Sequence, residues 1–213
     1  MTLDQAFAEA PLIAILRGVR PDEAVEIAEA LFVEGVRIVE IPLNSPEPFE
    51  SLRRVVDAMG ERMICGSGTV LDVASVDRVV QAGGRICVSP NTDPDVIKRA
   101  LTVGMTPMPG FATPTEALAA YAAGARWLKL FPAVSLGPAH LRHVLAVTPK
   151  DAIPLAVGGV GPAAFAEWLT AGARGFGLGS ELYRIGDSAE TVAGKARACM
   201  TAIADLRASG ALA

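Results

Sequence analysis

The chain has 213 residues, 51% of them hydrophobic and 20% charged, with a formal net charge of −4. That profile suits one globular domain over residues 1–213 with a sizeable core, and it holds no basic stripe that would offset the phosphates of a nucleic acid or an anionic membrane. Met1 to Glu9 lack the positive region and long apolar run of a signal peptide, and no apolar stretch is long enough to cross a bilayer.

Short aliphatic runs alternate along the chain with longer stretches of helical spacing. An initial segment with Leu3 and Phe7 is expected to form a short helix at the lower mouth of whatever the strands build. Strands are then predicted at Leu12–Arg17, Val36–Ile41, Met63–Cys65, Arg85–Ser89, Met105–Pro109, Arg126–Phe131, Ile153–Val157 and Arg174–Leu178. The fifth is the weakest, because Pro107 and Pro109 interrupt it. Between the strands, Ser45-Pro46 and Asp93-Pro94 each offer a capping side chain before a proline at the first helical position, and Thr113-Pro114-Thr115-Glu116 adds a capping box. Gly35, Gly60, Gly83, Gly104, Gly124 and Gly172 are expected to end helices in the left-handed conformation. The segments Ala82-Gly83-Gly84-Arg85, Ala123-Gly124-Ala125-Arg126 and Ala171-Gly172-Ala173-Arg174 repeat one helix-to-strand junction.

Eight strand-helix units imply a parallel sheet with crossover connections, and that number suits a closed (β/α)8 TIM barrel. The rival, an open doubly wound sheet, would need a glycine-rich dinucleotide loop after the first strand, and Leu16-Arg17-Gly18-Val19 is not one.

Reactive groups of such a barrel collect at the C-terminal strand ends. Here these are Arg17, Glu40, the run Gly66-Ser67-Gly68-Thr69, Lys129, and the turns Gly158-Gly159 and Gly179-Ser180. Period-two alternation puts Lys129 on one face with Trp127 and Phe131, Glu40 with Val36 and Ile38, and Arg17 with Ile13 and Ile15, so all three can converge on one lumen. Lys129 is one of four lysines and the one that interrupts an apolar strand; burial disfavours its ammonium form and leaves a nucleophilic amine. Its plainer alternative is a lysine that snorkels to solvent or pairs with a carboxylate. Glu40 reads equally as a proton shuttle or as a counter-ion, and Arg17 as a carboxylate fork or as the partner of Glu40. The two glycine turns follow strands seven and eight, where barrels hold phosphate on backbone N–H groups. His140 and His143 lie one turn apart with no third ligand nearby, so no metal is expected.

Six blocks in order, Leu12-Ile13-Ala14-Ile15-Leu16-Arg17-Gly18, Val39-Glu40-Ile41-Pro42-Leu43-Asn44-Ser45-Pro46, Gly66-Ser67-Gly68-Thr69-Val70, Leu128-Lys129-Leu130-Phe131-Pro132, Val157-Gly158-Gly159-Val160 and Leu178-Gly179-Ser180, resemble the 2-keto-3-deoxy-6-phosphogluconate/6-phosphogalactonate (KDPG/KDPGal) aldolase family. The resemblance covers nearly the whole chain and is closest to the phosphogalactonate branch. The gluconate branch usually has arginine where Asn44 stands and threonine where Val157 stands, whereas here the guanidinium comes from Arg17. Phe111 and Pro114 depart from the galactonate pattern in the loop after strand five.

The resemblance implies a metal-free, cofactor-free Schiff-base lyase that cleaves a phosphorylated 2-keto-3-deoxy sugar acid to pyruvate and glyceraldehyde 3-phosphate. Lys129 would be the imine-forming lysine and Glu40 the general acid/base. Arg17 and Thr69 would hold the carboxylate, and Gly158, Gly159, Gly179 and Ser180 the phosphate. It further implies a homotrimer. Cleavage of the gluconate epimer or of an unphosphorylated acid, and a metal-free phosphosugar isomerase or epimerase, remain the competing expectations. Three cysteines, odd in number and far apart, fit free thiols and a cytoplasmic location.

Overall fold

In the computed structural model, which describes residues 1–212, strands and helices alternate around one parallel sheet. The strands are β1 Leu12–Ile15, β2 Ile38–Pro42, β3 Ile64–Gly68, β4 Ile86–Val88, β5 Thr106–Met108, β6 Gly110–Phe111, β7 Trp127–Leu130, β8 Ile153–Val157 and β9 Gly175–Leu178. The helices are α1 Leu3–Glu9, α2 Ala24–Val33, α3 Pro48–Met59, α4 Val73–Gln81, α5 Pro94–Thr102, α6 Pro114–Ala122, α7 Ala133–Leu136, α8 Pro138–Leu145, α9 Phe165–Thr170 and α10 Ala189–Ala208, with a 3-10 turn at Pro162–Ala164.

The order across the sheet is β5-β4-β3-β2-β1-β9-β8-β7-β6. Its two ends, β5 and β6, follow one another in the chain with Pro109 between them, so they are two halves of one barrel strand and the sheet closes on itself. Pro109 has no N–H to give the ladder, but its carbonyl accepts from Lys129 N–H at 2.9 Å. Met108 on the other half pairs with Val88. The proline that weakens the fifth strand in the sequence thus marks where its pairing passes from one neighbour to the other.

The alternation of side chains separates two cores. Ile13, Ile15, Ile38, Ile64, Ile86, Val88, Met108, Trp127, Leu155 and Val157 fill the lumen together with Ala6 and Phe7 of α1. Leu12, Ala14, Leu16, Val39, Ile41, Leu128 and Leu130 face the helices instead. The short N-terminal helix closes the lower mouth as expected: Phe7 packs at a tilt against Trp127 with ring centroids 4.3 Å apart. Thr2 and Gln5 cap α1 reciprocally, which fixes its entry.

The local signals hold unevenly. Asp93 caps α5, and Thr113 with Glu116 forms the capping box of α6. Ser45 caps no helix; α3 begins at Pro48 with Glu47 before it, and the Ser45 hydroxyl instead accepts the Gly18 N–H at 2.9 Å. Gly35, Gly83, Gly104, Gly124 and Gly172 take positive φ, whereas Gly60 ends α3 at φ −60°. Val36 precedes β2 and packs in the outer core, so the lumen face of β2 starts at Ile38.

Candidate functional site

Register places the two polar side chains of the lumen. Glu40 lies in β2 beside Ile15 of β1 and Gly66 of β3, and Lys129 lies in β7 between Gly110 of β6 and Leu155 of β8. Both stand one layer above the isoleucine and aromatic plug, at 2% and 6% exposure respectively. A cavity of about 150 Å³ opens above them, lined by Ile15, Arg17, Glu40, Lys129, Phe131, Val157, Gly158, Gly159, Gly179, Ser180 and Glu181. Seven of the eight residues singled out in the sequence therefore share one cavity. The eighth, Thr69, is half-buried just past β3 at φ 57° and is not among the lining residues.

Burial sets the ionisation of the pair. Desolvation pushes the Glu40 carboxyl up to about 7, against the opposing pull of Lys129 and Arg17. Desolvation also pulls the Lys129 amine down to about 8; the Glu40 charge raises it and the Arg17 charge lowers it further. Glu40 Oε2 has no hydrogen-bond partner. The Lys129 Nζ lies 4.8 Å from the centroid of the Phe131 ring, whose π face offsets part of the lost hydration of the ammonium. A carboxyl that can hold or release a proton near neutral pH and an amine that can shed one near pH 8 have the ionisation that acid/base and nucleophilic chemistry require.

Room for the carboxyl comes from β3. A methyl group on Gly68 would fall inside contact distance of Cδ, Oε1 and Oε2 of Glu40, so this position has to be glycine if the carboxyl is to stay where it is. Sequence reading ends β3 at Cys65 because Gly66-Ser67-Gly68 has poor strand propensity. The missing Cβ is the one signal it carries.

Arg17 continues the lumen face of β1 into solvent. Its guanidinium donates from Nη1 to Asn44 Oδ1 at 2.6 Å. Gly18 N–H, bonded to Ser45, ties the two loops together beneath that contact. The Arg17 guanidinium and the Asn44 side chain therefore meet at one spot at the barrel mouth.

The turns after β8 and β9 bring Gly158, with φ 99°, and Gly159, with φ 74°, beside Gly179 and Ser180. The backbone hydrogen bonds among the described residues leave the N–H groups of Gly159, Gly179 and Ser180 without an acceptor, the arrangement that accepts an anion. The Ser180 hydroxyl donates to Glu181 at 3.2 Å. Asn44 as the partner of Arg17, Gly68 and Glu181 are the site features that sequence reading passes over. The His140 Nε2 lies 2.6 Å from the Ala112 carbonyl and steadies the loop before α6. Among the described residues no group of three or more His, Cys, Asp or Glu is arranged to hold a metal ion.

A family model described as KDPG and KHG aldolase matches residues 3–192. The chain is 50% identical over 194 residues to the "Probable 2-dehydro-3-deoxy-6-phosphogalactonate aldolase" of Rhizobium meliloti (strain 1021), covering 91% of this chain and 92% of that protein. It is 47% identical over 192 residues to the 2-dehydro-3-deoxy-6-phosphogalactonate aldolase of Escherichia coli (strain K12), covering 90% and 94%. Among solved structures, the native KDPGal structure superimposes with a TM-score of 0.92 at 46% identity, over 94% of this chain and 97% of that one. A cube-shaped, porous protein cage designed by fusing symmetric oligomeric domains matches with the same TM-score and identity, over 94% of this chain and 74% of that one. Fold and relatives together define an aldolase, a carbon–carbon lyase built on a (β/α)8 barrel. The chain belongs to the KDPG and KHG aldolase family.

Proposed function

We propose that this protein cleaves 2-dehydro-3-deoxy-6-phospho-D-galactonate to pyruvate and D-glyceraldehyde 3-phosphate through a Schiff base on Lys129. The observation that carries the proposal is a lysine amine at 6% exposure, lowered to about 8, in one lumen with a carboxyl raised to about 7. The names of the two relatives at 50% and 47% identity support the galactonate substrate.

The neutral Lys129 amine adds to the C2 ketone, and loss of water gives an iminium. The Glu40 carboxylate, directly or through a water, takes the proton of the C4 hydroxyl. The C3–C4 electron pair then moves into the iminium, leaving an enamine on Lys129 and releasing the aldehyde. Glu40 returns its proton to C3, and water hydrolyses the new iminium to pyruvate and the free amine. Arg17 meets the substrate carboxylate with its planar fork. Thr69, next to the Gly68 backbone on which Glu40 packs, is the second donor at that end. The N–H groups of the Gly158-Gly159 and Gly179-Ser180 turns take the phosphate, so the two ends of the substrate are held while the central bond breaks.

A metal-free isomerase on the same barrel would use the acid/base pair but no imine. The retained amine and the family membership favour the lyase. Two further assignments belong to the proposal: a homotrimer, in keeping with the symmetric oligomeric domains of the cage-forming neighbour, and a cytoplasmic location, in keeping with Cys65, Cys87 and Cys199 being buried free thiols.

The test is pyruvate release from the galactonate and gluconate epimers side by side. Faster turnover per KM on the galactonate epimer is expected. Equal or reversed preference overturns the substrate assignment, and no pyruvate from either overturns the reaction.

A further inference from the structure

Besides Glu40, Glu181 is the carboxylate that lines the cavity with the proposed phosphate turns among the described residues, and nothing in the reaction uses it. It follows Ser180, is half-buried, and lines the cavity with Gly158, Gly159 and Gly179. Its Oε1 accepts the Ser180 hydroxyl proton at 3.2 Å. Its Cγ lies 3.6 Å from where a Cβ on Gly161 would stand, so the side chain reaches from the turn after β9 towards the turn after β8. Among the described residues no ion pair within 4.0 Å includes Glu181. The nearby cation of its own loop, Arg184, donates Nε–H to the Ser180 carbonyl at 3.2 Å.

An unpaired carboxylate at an anion site acts twice against the anion. It occupies the Ser180 hydroxyl, a donor that a phosphate oxygen would otherwise take. It also repels the phosphate charge across a partly desolvated gap. We propose that Glu181 is a specificity-determining residue that competes internally with the substrate phosphate, weakening the distal anion site of this aldolase. The inference rests on the phosphate-end assignment made above. The chemical sense of such a device is that phosphate binding is felt equally by substrate and by the phosphorylated aldehyde that must leave, so tighter binding there slows release without lowering the barrier to cleavage.

The experiment uses the full-length protein, Glu181→Gln and Glu181→Ala, with inorganic phosphate as the probe. Its inhibition constant is measured against cleavage of the phosphorylated acid, together with KM for the phosphorylated and unphosphorylated acids. Gln keeps the size and the acceptor for Ser180 and removes only the charge, so a merely structural role predicts no change or a loss. The expected result is a gain: phosphate inhibits both variants about tenfold more tightly, and the ratio of KM for the phosphorylated acid to KM for the unphosphorylated acid falls in parallel. Unchanged or weaker phosphate inhibition in Glu181→Gln overturns the inference, and so does a gain confined to Glu181→Ala, which would trace the effect to bulk. Phosphate that inhibits neither the parent protein nor the variants removes the phosphate-end assignment itself and this inference with it, while imine formation on Lys129 would stand untouched.

Discussion

Replacing Gly68 with alanine tests whether the position of the Glu40 carboxyl, and not merely its presence, is needed for proton transfer. A methyl group there overlaps all three carboxyl atoms of Glu40. An ordinary carbon-to-oxygen contact is about 3.3 Å, so the carboxyl has to retreat by more than about 1 Å, and a misplacement of that size lowers a rate by about 100-fold. The carboxyl ends a flexible side chain and Gly68 carries no positive φ, so the fold can absorb the change. The assay is exchange of the pyruvate C3 hydrogens for deuterium, followed by proton NMR, beside borohydride trapping of pyruvate and a thermal melt. Exchange is expected to fall about 100-fold, with trapping on Lys129 retained and the melting temperature close to that of the parent. A folded Gly68→Ala protein that exchanges at the parent rate would refute the positional argument.

For Glu40→Gln, the sign follows from the pair. The ionised carboxylate raises the Lys129 amine, so removing its charge shifts the midpoint of the pH profile for imine trapping below about 8, while C3 exchange is largely lost; a midpoint that stays or rises would contradict the coupling. Lys129→Met bears on stability. The amine drops from 10.5 unfolded to about 8 folded, so the unfolded chain binds more protons between those values, and the stability contributed by this group rises with pH through that window. The methionine variant should therefore gain stability over the parent at pH 7, with the gap closing towards pH 10.5; urea unfolding at several pH values reads it, and a pH-independent difference would sink it. Phe7→Ala opens the lower plug against Trp127 and should cost about 3 kcal/mol, or roughly 10 °C in Tm for a chain of this size. An unchanged Tm would mean that α1 contributes nothing to closure.

Much of this molecule is legible in its sequence where a residue pattern repeats against a fixed geometry. Alternation alone puts Lys129 with Trp127 and Phe131, and Ile13 with Ile15, on the lumen face, because a strand has no other way to place them. Capping signals are read correctly where the side chain has a helix N–H as its nearest donor, as at Asp93 and Thr113. At Ser45 the same hydroxyl finds the Gly18 N–H in the loop after the neighbouring strand β1, a tertiary partner that no local pattern announces. The glycine-rich end of β3 fails for the opposite reason: propensity scores what glycine lacks, while the fold uses that lack to seat Glu40. Glu181 lies beyond the last strand residue, where period-two reasoning no longer says which way a side chain turns. Asn44 is visible as a branch difference, but its contact with Arg17 needs two loops 27 residues apart to meet.

The most direct measurement is reduction with borohydride in the presence of pyruvate, followed by peptide mass analysis. One reduced pyruvate adduct is predicted, on the peptide that carries Lys129, with the yield rising as pH passes about 8. A protein that yields no adduct while remaining folded, or one whose adduct sits on Lys98, Lys150 or Lys195, would contradict the assignment of Lys129 as the amine that forms the imine.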